Sequence, residues 1–380
     1  MATISRVELD LVTLAPTVAR SDAIQSFEAQ ETPLLRITDS DGAVGTGYTY
    51  TIGTGGSSVV ALLRDHLLPR LLGRDADRIE GIWCELAGSI HALTVGPIAS
   101  LALAAIDTAL WDLRCRRTGL PLHVAAGGAQ TRVPLYSTEG GWLHLPTEAL
   151  VEDALEVRER GWAGVKVKVG RPTIAEDVER LEAVRAAVGA GADLMVDANQ
   201  AFRLDEALRR AWAYREVDLA WFEEPIEADD VTGHARLAAS TSIPIAVGES
   251  LYSVRQFREY LHAGACSIVQ VDAARIGGIT PWLKVAHLAE AHGVAVAPHF
   301  LMELHVSLAC ATAAGARVEY IPQLDPIVTS RLTVKDGYAH PPEQPGLGID
   351  WDLDAVARLG ERVVDLRVGS TVDDEEATAQ

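Results

Sequence analysis

Apolar and polar positions alternate along residues 4–13 and 33–38, and a third alternating run, 43–50, follows the pair Asp41-Gly42. A period of two with a turn-forming dipeptide predicts strands, the last two joined as an antiparallel hairpin. The period then lengthens. Helical spacing predicts helices over 59–72 and 98–117, the first preceded by the turn at Gly53, Gly55 and Gly56, the second closed by Gly119 and Pro121. Residues 14–31 carry neither period, and a polar segment of that length predicts a mobile loop of the lid type. An α+β unit over residues 1–128 is the expected result.

From residue 132 the texture becomes repetitive. Short runs rich in β-branched residues recur at 133–138, 164–169, 192–199, 219–225, 243–250, 267–273, 294–300 and 317–322. Helical windows such as 148–159, 175–188, 205–216, 254–262 and 281–292 separate them. Eight strands alternating with helices predict a closed parallel barrel over residues 129–330. The competing fold, an open doubly wound sheet, usually carries a glycine-rich phosphate turn, and neither GxGxxG nor GxxxxGK[ST] occurs. Residues 331–380 read as a segment that packs back toward the first unit, with a short strand at 332–335, a turn at Asp336-Gly337 and a solvated acidic end at Asp373–Glu376.

Charge and cysteine usage narrow the partners. Lys plus Arg number 33 against 53 Asp plus Glu, a net −20, which disfavours nucleic acid and anionic membranes. No run approaches the ~20 apolar residues that span a bilayer, and the N-terminus does not read as a secretory leader. Cys84, Cys115, Cys266 and Cys310 form no CxxC pair, so they read as free thiols in a reducing cytoplasm.

In such a barrel the chemistry lies at the carboxyl ends of the strands. Lys166 and Lys168 share one face of the second strand, and a closed barrel has no edge on which to solvate them, so they need acidic company. Asp197, Glu223 and Glu249 end the next three strands at equal steps of 26 residues (197 to 223, 223 to 249). Three converging carboxylates repel unless a hard cation joins them, and an all-oxygen set favours Mg²⁺. Across the mouth, Asp272 precedes His299 by one strand and would fix its tautomer and raise its basicity; Glu319 ends the eighth strand. His234, His262, His287, His292 and His305 read as structural. Together these groups suit removal of a proton α to a metal-held carboxylate. Lys168 is the expected base, its pKa lowered by Lys166 and the metal. Lys166 and a protonated Glu319 would donate to the enolate oxygens. Glu224 and Asn199 are supporting neighbours.

The motif KVK at 166–168, Asp197, Glu223 in FEEP, Glu249 in GES, the pair Asp272/His299 and Glu319 resemble the enolase superfamily, mandelate racemase subgroup, along essentially the whole chain. The resemblance implies a capping domain on a modified (β/α)7β TIM barrel, a Lys base working with Mg²⁺, and, by analogy, a homo-oligomer. Within the subgroup, LYSTEGGWLH (135–144), VKVKVGRPTIAED (165–177), DANQAF (197–202), VDAARIGGITPWLK (271–284) and APHFLMELH (297–305) are most similar to acid-sugar dehydratases acting on galactarate and L-talarate. That implies abstraction of the α-proton and loss of the β-hydroxyl with help from His299, giving a 2-keto-3-deoxy acid. Racemisation or epimerisation by the same two bases is the alternative; a silent binding homologue is disfavoured because no ligand or base is missing. Arg20, Ser21, Asp22 and Gln25 on the lid suit a hydroxylated substrate, with Arg20 expected on the distal carboxylate of a six-carbon diacid. Tyr48, Tyr50, Thr138, Trp142 and Asn199 are further candidates to line the pocket.

Overall fold

The computed structural model describes residues 2–369. Six strands form the N-terminal unit: β1 (Ile4–Leu14), β2 (Arg20–Ser21), β3 (Ser26–Phe27), β4 (Gln30–Asp39), β5 (Val44–Tyr48) and β6 (Thr51–Ile52). β4 lies antiparallel between β1 and β5, with β6 on its N-terminal end. The helix Pro97–Thr118 packs on β5. Its approach depends on Gly45 and Gly47: a Cβ there would stand 2.3 and 2.2 Å from backbone atoms of Ala109.

The barrel strands are β7 (Val133–Ser137), β8 (Gly164–Lys168), β9 (Asp193–Asp197), β10 (Trp221–Glu223), β11 (Ile245–Val247), β12 (Ile268–Val269), β13 (Ala295–Val296) and β14 (Val318–Tyr320). Each from β7 to β12 pairs in parallel with the next, and β14 pairs in parallel with β7. The last gap closes just before β14, where the Val296 amide donates to Ala314 O (2.8 Å) and Ala316 N donates to Val296 O (2.8 Å). Tyr136, Met195, Trp221, Ala246 and Ala297 fill the lumen, making a dry floor beneath the strand ends.

Beyond the barrel, β15 (Thr333–Lys335) and β16 (Tyr338–His340) form the hairpin expected around Asp336-Gly337. β17 (Gly360–Arg367) then runs antiparallel to β1, so the far end of the chain completes the first sheet. The acidic run Asp373–Glu376 lies outside the described residues. No described helix is long and apolar enough to cross a membrane, and all four cysteines are free.

Three expectations need correction. Segment 14–31 is not one long loop: it holds the hairpin β2/β3 and the start of β4. Ser21 O accepts from Leu143 N (2.9 Å), and Asp22 Oδ1 closes the turn through Ile24 N (2.7 Å) and Gln25 N (2.8 Å). The helix expected over 59–72 is α-helical only through Leu62, then continues as a π turn and a 3₁₀ turn; Pro69 lacks the N–H that an α-helix would use there. The later barrel strands are only two or three residues long, because the chain leaves the ladder before the site residues. The helix Met302–Ala311 gave no amphipathic signal because every one of its residues is buried.

Candidate active site

The two lysines stand on the inner face of β8 and both are buried. Lys166 Nζ lies 2.9 Å from Glu223 Oε1, 2.8 Å from Glu319 Oε1 and 3.7 Å from Asp197 Oδ2. Lys168 Nζ donates to Asp197 Oδ2 (2.5 Å) and Asn199 Oδ1 (2.9 Å). The acidic company that burial demands is therefore present. Trp221 Nε1 rises from the lumen floor to donate to Glu223 Oε2 (3.0 Å).

Asp197, Glu223 and Glu249 each offer an oxygen within 4.8 Å of the others. Asp197 and Glu223 are fully buried, and the Glu249 side chain is 12% exposed. Three carboxylates this close, with oxygen donors alone, fit a hard divalent cation. Their mutual repulsion shows on Glu223, whose carboxyl is pushed up to about 7, by burial first and then by the Asp197 charge. Asp197 moves the other way: burial opposes its charge, but Lys168 and Lys166 outweigh it.

His299 sits opposite the lysines. Its Nδ1 donates to Asp272 Oδ2 (2.9 Å), leaving Nε2 to face Glu249 Oε2 at 3.1 Å. Burial disfavours the imidazolium, yet Glu249 and Asp272 overcome it and raise the His299 pKa. Asp272 is correspondingly held down to about 2: burial opposes its charge, and the hydrogen bond and charge of His299, with His305 and Arg275, together outweigh it. Asp272 Oδ2 also accepts from Tyr50 (2.7 Å), which in turn accepts from Arg275 Nε (3.1 Å). Lys168 at Asp197 and His299 at Glu249 thus bracket the carboxylate cluster from two ends.

Several positions differ from those read along the chain. Glu249, Asp272 and His299 do not end strands. They lie two or three residues beyond β11, β12 and β13. Gly248, at φ 155°, brings its Cα against the Gln270 backbone, where a Cβ would lie 2.5 Å from Gln270 C, and so turns the chain ahead of Glu249. The residues following the site groups adopt left-handed backbone: Asn199 and Gln200 after Asp197, Glu224 after Glu223, Phe300 and Leu301 after His299. Strain of this kind persists only where the surroundings hold it.

The protein's own charges displace two groups against the expected direction. Burial is the largest influence and lowers the Lys168 pKa, as does Lys166, but Asp197, Glu249 and Glu223 together outweigh them, so the net displacement is upward. The Glu319 pKa is displaced downward, away from the expected protonated form: burial opposes its charge, and Lys166 and His299 drive it down. It accepts from Thr138 Oγ1 (2.6 Å) and Phe300 N (2.8 Å). Thr138 is thereby bound to Glu319, and Asn199 to Lys168. Tyr48 is buried behind the site against Trp351, its rings 5.4 Å apart. Its hydroxyl is buried without a hydrogen-bond partner, while Arg20 pairs with Glu139.

Sequence reasoning missed three contributors. Glu139 lies two residues beyond β7, the same offset that Asn199 has from β9, and that offset was the available signal. Gln200 ties Glu224 Oε2 and Ser250 Oγ together at 2.9 Å each. His305, read as structural, holds both loops of the His299 side: its Nδ1 donates to Phe300 O (3.0 Å) and its Nε2 accepts from Ala273 N (3.1 Å). Burial keeps it neutral, with a pKa of about 4.

The comparisons with known proteins agree with this geometry. Residues 6–127 match the mandelate racemase / muconate lactonizing enzyme N-terminal domain, and residues 149–355 match the enolase C-terminal domain-like family. The chain belongs to the mandelate racemase subgroup of the enolase superfamily. Its barrel and capping domain are those of that superfamily. It is 38% identical over 315 residues to an L-talarate/galactarate dehydratase of Salmonella typhimurium, covering 83% of this chain and 79% of the relative. It is 37% identical over 362 residues to a 3,6-anhydro-alpha-L-galactonate cycloisomerase of Streptomyces coelicolor, covering 94% and 99%. The Salmonella dehydratase, solved with Mg and L-lyxarohydroxamate, superposes with a TM-score of 0.92 at 35% identity over 96% of this chain and 95% of that one. The superfamily's enzymatic character and its use of Mg²⁺ accord with the carboxylate cluster found here.

Proposed function

We propose that the protein is a Mg²⁺-dependent acid-sugar dehydratase in which Asp197, Glu223 and Glu249 hold the ion. The observation that carries this reading is the bracketing of one carboxylate cluster by Lys168 and His299. Mg²⁺, when bound, supplies positive charge that fixes the substrate carboxylate and offsets the second negative charge that develops as the α-proton leaves. Lys168 Nζ removes that proton. It becomes a competent base once the Asp197 charge is directed at the cation rather than at the ammonium. Lys166, held as an ammonium between Glu223 and Glu319, donates to the developing enolate oxygen. Glu319, in this reading, aims Lys166 and is not itself a donor.

On the other flank, the Asp272 hydrogen bond aims His299 Nε2 into the site and favours its protonated form. His299 gives its proton to the departing β-hydroxyl, which leaves as water, and the enol tautomerises to a 2-keto-3-deoxy acid. Substrate and product then differ by one water. The relatives differ in substrate, one named for galactarate and talarate and the other for a galactonate derivative, so they support the reaction at the α-carbon more strongly than any one sugar.

A second reading, 1,1-proton transfer, draws on the same bracketing, because a base on each face suffices for racemisation. Reaction of acid sugars in D₂O with Mg²⁺ separates the two. Dehydration yields a semicarbazide-reactive keto acid, whereas racemisation yields α-deuteration without one. Keto-acid formation undiminished in Lys168→Ala would remove Lys168 from its role.

A further inference from the structure

Between the lid hairpin and the barrel mouth lies a narrow cavity of about 30 Å³, lined in part by Arg20, Phe27, Ile52, Trp142, Phe300 and Gln323. Two of its lining residues, Trp142 and Phe300, neighbour the candidate catalytic groups. The Trp142 ring lies 5.3 Å from Lys168 Nζ, and the Phe300 ring stacks on His299 at 5.3 Å. The Arg20 guanidinium lies 5.9 Å from the same Trp142 ring, so a substrate whose α-carbon sits between Lys168 and His299 would direct its far end past Trp142 toward Arg20.

Arg20 is the cation that lines the cavity, and its donors are already engaged. Nε and Nη2 address both carboxylate oxygens of Glu139, Nη1 donates to Gln323 Oε1 (2.8 Å), and Nη2 also reaches Pro322 O (3.0 Å). Four of the five guanidinium hydrogens are accounted for. Arg20 is buried and the Glu139 side chain is 17% exposed; Trp142 Nε1 adds a 3.4 Å contact to the same carboxylate. Further negative charge is nearby. Asp325 lines the cavity, 4.0 Å from Arg331, and Asp22 on the lid is close enough to Lys168 for their charges to interact. A second carboxylate entering here would meet a cation neutralised from behind and would lie beside Glu139.

We infer that the substrate is a monocarboxylic acid sugar whose uncharged hydroxylated tail points toward Arg20, and that Glu139 sets this preference by neutralising Arg20. The inference rests on the proposed α-proton chemistry and replaces the six-carbon diacid as the expected substrate. Glu139 acts through Arg20 and is a positioning residue.

The test uses matched aldonic and aldaric acids of the same stereochemistry with Mg²⁺, read by α-proton exchange in D₂O and by keto-acid formation. The wild type is expected to favour the monoacids by about a hundredfold in kcat/KM, the scale on which like charges are rejected. Glu139→Gln releases the Arg20 charge. It is expected to lower KM for the diacids about tenfold with little change for the monoacids, and Glu139→Asp to restore the original ratio. A gain on diacids is not an outcome that misfolding produces. Wild-type turnover of diacids at or above that of monoacids overturns the inference, as does an unchanged ratio in a folded Glu139→Gln. Exchange without keto acid rejects dehydration yet still reads the preference, while neither signal on any acid sugar overturns both.

Discussion

The barrel side of the site and the lid side are built differently. Lys166, Lys168, Asp197, Glu223 and Glu319 stand within or at the ends of regular strands, where ladder hydrogen bonds and the packed lumen fix their directions. Arg20, Glu139, Trp142 and Gln323 come from a two-residue hairpin and irregular turns that hold one another through side chains. The first arrangement is rigid and serves a chemistry shared across the superfamily. The second is a local network in which one changed charge alters what fits. In the proposed reading, reaction type and substrate preference are thus carried by separable parts of the molecule.

The largest effect expected is on the strand-borne side. Lys168→Ala should reduce kcat by roughly a thousandfold or more and abolish α-proton exchange, while the circular dichroism spectrum stays native. His299→Asn tests the opposite flank. Exchange should persist while keto-acid formation falls by about a hundredfold or more, a split that a shared structural defect would not give. Tyr50→Phe removes one donor from Asp272, and about a tenfold loss in dehydration is expected, read as kcat at saturating substrate. On the lid, Ser21→Ala deletes a hydroxyl pair with Ser26 (2.7 Å) that is exposed. Thermal unfolding should register less than about 0.5 kcal/mol. A lid variant that matched Lys168→Ala in its effect on exchange would erase the distinction between the two sides.

Most of the strand-borne half was legible along the chain. A strict period of two placed Lys166 and Lys168 on one face, and equal spacing placed Asp197, Glu223 and Glu249 around one point. The later strands were read too long because extended segments continue past the ladder, and the left-handed residues Phe300 and Leu301 that end this one carry no sequence signature. Charge states were harder still. Lys168 is expected to be depressed by Lys166 and the metal, whereas Asp197, 2.5 Å away, raises it together with Glu249 and Glu223. Glu139 went unread because its partner, Arg20, lies 119 residues away, and no local period reports such a pairing.

The central claim is that one divalent ion sits among three carboxylates with Lys168 and His299 on opposite flanks. A crystal structure with Mg²⁺ and a non-reacting acid-sugar analogue tests it most directly. The account predicts one ion touched by Asp197, Glu223 and Glu249 together, with the analogue's α-carbon lying between Lys168 Nζ and His299 Nε2. An ion bound by fewer than three of these acids, or both nitrogens on the same face of the α-carbon, would contradict it.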